Sequence, residues 1–99
     1  MSIESLAREI ATVDRDINSI ERSIHPIDAN IGRKQKEAHN LLEKISREKD
    51  LKRMINYQRD LTKKNEEINK LERDKSAISK SLADKKKKKL DLQDKLNKE

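Results

Sequence analysis

Five consecutive lysines, Lys85, Lys86, Lys87, Lys88 and Lys89, are the densest chemical feature of this chain. Ammonium groups this close together attract phosphate oxygens, because neutralising a nucleic-acid backbone releases its condensed counterions. On a helix, five successive residues point to all sides, so the same run also fits a solvated stretch facing an acidic partner helix. The chain has one tyrosine and no tryptophan or phenylalanine, which leaves no platform for stacking bases. Nucleic-acid binding through the run is therefore expected to be nonspecific and salt-sensitive, and the solvated stretch is the preferred reading.

The remaining reactive side chains do not assemble into a site. His25 and His39 are the only imidazoles, and on one helix they stand roughly 21 Å apart, too far to share a metal. Acid pairs such as Glu66-Glu67 sit among lysines and read as solvent-facing i,i+4 partners. The serines have no His and Asp constellation, and Gly32 stands alone, so nucleophilic catalysis and a phosphate-cradling loop have no support. Cysteine is absent, which removes disulfides and thiolate metal sites. No enzyme, metal or cofactor is expected.

The elements that carry these residues follow from composition and spacing. Of the 99 residues, 44% are charged and 31% apolar, with one Gly and one Pro. That balance argues against a globular core, whereas long helices suit the Glu, Lys, Arg and Leu content. Ile3, Leu6, Ile10, Val13, Ile17, Ile20, Ile24, Ile27 and Ile31 recur at alternating spacings of three and four. This is a heptad seam, narrow enough to pack helix against helix. It thins at Lys34 and Ala38 and returns at Leu41 and Ile45.

A second series runs through Met54, Tyr57, Leu61, Ile68, Leu71, Ile78, Leu82, Leu92 and Leu96, with Lys64, Lys75, Lys85 and Lys89 at the intervening seam positions. Its frame differs from the first. The nine-residue step from Ile45 to Met54 places the two stripes on nearly opposite faces of a continuous helix, at roughly 100° per residue. A turn over 46–53, between a first helix over 1–45 and a second over 54–99, lets them face each other.

Charge supports that hairpin. Residues 1–31 hold three basic and six acidic side chains, and residues 75–99 hold nine basic and four acidic. Antiparallel folding brings these blocks together, with paired positions summing to about 99: Glu4 near Lys95, Glu9 near Lys89, Asp14 near Lys85. Exposed pairs contribute about 0–1 kcal/mol each and select orientation, while each isoleucine fully buried contributes roughly 1.5–3 kcal/mol. Two helices alone leave one edge of each seam wet, so the expected form is an all-α antiparallel coiled-coil hairpin paired into a dimeric four-helix assembly. The competing form is a single bent helix of roughly 140 Å, in which isoleucine at both seam positions favours a parallel trimer.

Within the first arm, Pro26 removes one backbone hydrogen bond and Gly32 weakens the helix by about 1 kcal/mol. The seam continues across Ile24, Ile27 and Ile31, so a kink is expected there and not a break. The turn contains neither Gly nor Pro, and Asp50 is its best N-cap.

Three segments bear a family resemblance: Ile3-Glu4-Ser5-Leu6-Ala7-Arg8-Glu9-Ile10, Ile68-Asn69-Lys70-Leu71-Glu72 and Leu82-Ala83-Asp84-Lys85-Lys86-Lys87. They resemble the N-terminal coiled-coil segment that precedes the TIR domain in many bacterial TIR-domain proteins. Where that family carries a Ser/Thr-rich stretch between its arms, this chain has Arg47-Glu48-Lys49-Asp50. The resemblance implies a segment that oligomerises and positions a C-terminal effector domain, commonly one that cleaves NAD in antiphage defence.

The expected function is thus a non-catalytic scaffold that forms a homo-oligomer, a dimer first, and clusters an attached effector. Its alternatives are a basic coiled coil that binds nucleic acid and a passive rod. No apolar run reaches the roughly 18 residues of a membrane span, and no standard signal peptide opens the chain. A cytoplasmic protein without a membrane partner is expected, and the uncapped ending Asn97-Lys98-Glu99 fits a segment of a longer one and equally a natural end that frays.

Overall fold

The computed structural model describes residues 2–98. Two helices, α1 (Ile3–Arg47) and α2 (Leu51–Lys98), account for nearly all of them, and the described residues contain no strand. The helices form the antiparallel hairpin that the change of seam frame implies, and not the single bent helix.

Helix α1 opens on a cap that the periodicity does not disclose. The Ser2 hydroxyl oxygen accepts the Ser5 backbone N–H at 3.1 Å, and the Ser2 carbonyl accepts that of Leu6 at 3.1 Å. These contacts satisfy groups that a bare helix start leaves open. Pro26 and Gly32 lie inside an unbroken α1.

The link between the helices is shorter than the expected 46–53. Only residues 48–50 are non-helical. Seam spacing locates where the packing face changes, whereas caps fix where helical hydrogen bonding starts and stops. Asp50 sets the start of α2: its Oδ1 accepts the backbone N–H groups of Lys52 at 2.9 Å and Arg53 at 3.3 Å. Its carbonyl accepts that of Met54 at 3.0 Å, and Glu48 Oε1 accepts the Asp50 N–H at 3.0 Å. The carboxylates thus satisfy the backbone N–H groups of the link, and no described residue takes a positive φ that would call for glycine.

The hairpin comprises two compact units. The first runs from the N-terminal end to His25 and from Ser76 to the C-terminal end, and the second is Pro26–Lys75. In the first unit, Leu6, Val13, Ile17 and Leu92 are buried, with Ile10, Leu82 and Leu96 packed against them. In the second, Ile31, Ala38 and Ile68 are buried beside Ile27, Leu61 and Leu71. Ala38, where the seam looked thin, therefore belongs to the core.

Other seam residues are half-buried: Ile20, Ile24 and Ile78 in the first unit, and Leu41, Ile45, Met54 and Tyr57 in the second. Ile3 departs from the expected seam, remaining 57% exposed. It occupies the first turn of α1, and the seam of α2 has its last apolar residue at Leu96, so Ile3 has no apolar counterpart to cover it.

Candidate functional site

The lysine run and the acids of α1 come together in the first unit. Lys89 Nζ lies 2.6 Å from Asp14 Oδ1, Lys85 Nζ 3.3 Å from Asp16 Oδ2, and Lys86 Nζ 3.6 Å from Glu21 Oε1. Lys85 and Lys89 are half-buried at their seam positions, while Lys86, Lys87 and Lys88 are exposed. A lysine at a seam position can lay its four-carbon stem along apolar neighbours and carry the ammonium out to an acid at the rim. That is how α2 keeps helical packing through a segment with so few apolar residues.

These partners correct the expected register. Lys89 meets Asp14 and not Glu9, Lys85 meets Asp16 and not Asp14, and Glu4 approaches Arg8 of its own helix at 4.0 Å. The cause is side-chain tilt. Helical side chains lean toward the N-terminus of their own helix. Across an antiparallel pair both partners therefore meet below their own Cα levels, and their numbers sum to a few more than the backbone levels do.

The second unit has its own network. Lys34 Nζ donates to Glu67 Oε2 at 2.6 Å, Lys64 Nζ lies 2.6 Å from Glu37 Oε2 and 3.8 Å from Glu67 Oε2, and Lys75 Nζ lies 2.6 Å from Asp28 Oδ1. The hydrogen bond from Lys64 holds the Glu37 carboxyl below its ordinary value, and the bond from Lys34 does the same for Glu67. The hydrogen bond to Glu37 raises Lys64 in turn. Glu67 is consequently no solvent-facing i,i+4 partner: it is half-buried and bridges the helices, while Glu66 is exposed.

Around this network lies an open depression lined by both helices, including Asn40, Lys44, Asp60 and Lys63. The Lys44 ammonium sits 5.7 Å from the centroid of the Tyr57 ring, within cation–π range. The depression holds charges of both signs, of which Lys64 is engaged by Glu37 and Glu67, and no nucleophile is paired with a base.

His25 is exposed, and His39 approaches only Glu43 of its own helix, at 3.1 Å, as an ion pair when protonated. Among the described residues no group of three or more His, Cys, Asp or Glu is placed to hold a metal ion, and no helix is long and apolar enough to cross a membrane. The sequence signal for the bridging role of Lys34, Lys64 and Lys75 was their place in the seam frame, which marks a long side chain that must reach out sideways. The chain matches no family model, no curated protein and no solved structure.

Proposed function

We propose that this chain is a non-catalytic oligomerisation module in which two hairpins pair into a four-helix assembly. On the resemblance to bacterial TIR-protein coiled coils, it clusters an effector domain joined to it, of TIR type and acting in antiphage defence in the cytoplasm. The observation that carries this reading is the incomplete burial of apolar side chains within one hairpin. Leu42, Leu51, Ile55 and Leu90 are all more than two-fifths exposed, and much of the seam is only half-buried. Covering such side chains is worth roughly 25 cal/mol per Å² of apolar surface, and a second hairpin is the simplest cover. The mechanism is proximity: pairing raises the effective concentration of whatever the chains carry.

The nucleic-acid reading has less to stand on, because Asp14, Asp16 and Glu21 already engage three of the five lysines. Fusing the two halves of a split fluorescent protein to separate copies of the chain tests the clustering role. Reassembly that Ile17→Asp abolishes supports it. Equal fluorescence from the wild-type and Ile17→Asp fusions contradicts it.

A further inference from the structure

Helix α2 carries two parallel stripes within the second unit. The first is the seam, Met54, Tyr57, Leu61, Lys64 and Ile68. The second, Leu51, Ile55, Gln58, Thr62, Asn65 and Asn69, repeats the same alternation of four and three, roughly 100° further round the helix. Every residue of the second stripe is exposed and none is charged, in a chain whose charged fraction is 44%. The opposite flank, by contrast, carries Arg53, Asn56, Asp60, Lys63, Glu67, Lys70 and Asp74, all but one of them charged. Asp60, Lys63 and Glu67 line the charged depression together with Glu37, Asn40 and Lys44 of α1, so both helices turn their charged flanks to one side of this unit. The other side receives the uncharged stripe of α2 and Leu42 of α1. Leu42 is 52%, Leu51 69% and Ile55 41% exposed.

We infer that this uncharged flank of the second unit is the surface on which a second copy of the chain docks, an inference that rests on the oligomerisation reading and locates its interface. A helix with two stripes about a quarter-turn apart has two neighbours, as each helix of a four-helix bundle does. Helix α1 is one of them, and the hairpin contains no other helix to be the second.

Charge, hydrogen bonding and area all point to an identical copy. Each chain carries a formal charge of +6, so two copies approach most favourably through a surface with few charges; Arg59, beside Ile55, Gln58 and Thr62, is the charge at its edge. A two-fold contact places the same patch against itself. The amides of Gln58, Asn65 and Asn69 hold both donors and acceptors and can pair with their own kind, which neither ammonium nor carboxylate groups do. The uncharged flank is about 28 Å long over residues 51–69 and about 20 Å wide across two helices, roughly 560 Å². That is close to the roughly 600 Å² per partner at the lower end of stable specific interfaces.

Sedimentation equilibrium on the whole chain tests the assignment with single glutamates on either flank. Asn65→Glu and Ile55→Glu lie on the uncharged flank, and Asn56→Glu lies on the charged one. All three sites are exposed and glutamate is a good helix former, so circular dichroism should report helix in each. The expected result is the mass of two chains for wild type and Asn56→Glu, and of one chain for Asn65→Glu and Ile55→Glu. Wild type at the mass of one chain removes the oligomerisation reading together with this inference. A two-chain mass for wild type that persists in Asn65→Glu and Ile55→Glu overturns this inference alone and leaves the reading in place.

Discussion

Lys64 and Glu37 meet at 2.6 Å across the two helices of the second unit, although Lys64 stands where the seam of α2 would ordinarily place a leucine. The pair is exposed enough for solvent to screen it, so its value is not chiefly energetic. It fixes which acid of α1 lies beside which seam position of α2. Lys75 with Asp28 repeats the arrangement, and Lys34 with Glu67 reverses the direction of the charges. Together these pairs set the register of a unit with only three buried apolar side chains, Ile31, Ala38 and Ile68.

Acid should weaken the hairpin through these pairs. Glu37 and Glu67 are held below the ordinary value of 4.5 by Lys64 and Lys34. A depressed carboxyl stabilises the fold above the unfolded value and loses that contribution as pH falls through the folded one. Lys64 is raised above 10.5, so its contribution is present below that pH and is lost as alkali carries pH through the raised value. Melting followed by circular dichroism should show a midpoint that falls below about pH 4.5, and the double variant Glu37→Gln, Glu67→Gln should flatten part of that fall. An unchanged acid slope in the double variant contradicts the assignment.

Removing the cap of α2 should be felt throughout the hairpin. Asp50→Ala leaves the N–H groups of Lys52 and Arg53 without the carboxylate that accepts them, a loss of about 1 kcal/mol. The thermal midpoint should drop at fixed chain concentration, and Asp50→Ser should recover most of it. A loss no larger than that of an exposed control such as Lys49→Ala would contradict the capping role.

Gly32 offers the opposite test. It lies inside α1 without a positive φ, and a Cβ built on it meets nothing within 4 Å. Gly32→Ala should therefore stabilise the chain by about 0.5–1 kcal/mol through a less flexible unfolded state. A lower midpoint would mean that something absent from the isolated hairpin packs against this position.

Two seam residues of the first arm should respond differently to the same change. Ile17 is buried and Ile3 is 57% exposed. Ile17→Asp places an unpaired carboxylate in the core of the first unit, so helicity and assembly should both fall sharply. Ile3→Asp should leave both nearly intact, and equal effects from the two would mean that burial in the seam does not drive folding.

The sequence made much of this arrangement legible because heptad spacing and charge blocks are direct consequences of helix packing. The apolar residues from Leu6 to Ile31 mark one packed face, and the nine-residue step between Ile45 and Met54 marks a reversal of direction. Helix ends were less visible. Ser2 and Asp50 act through single hydrogen bonds that leave no periodicity, so the link came out wider than residues 48–50. Ion-pair partners were displaced by several positions because numbering follows Cα atoms, whereas charges sit at the ends of tilted side chains. Glu67 looked solvent-facing beside Glu66 because adjacency in sequence conceals that one residue lies next to the seam and the other does not.

If a second copy covers the apolar surface that one hairpin leaves unfinished, the mass of the chain in solution reports it. Sedimentation equilibrium at micromolar concentration and neutral pH should then give the mass of two chains, shifting toward one on dilution. A mass of one chain at every concentration, with helicity undiminished, would contradict it.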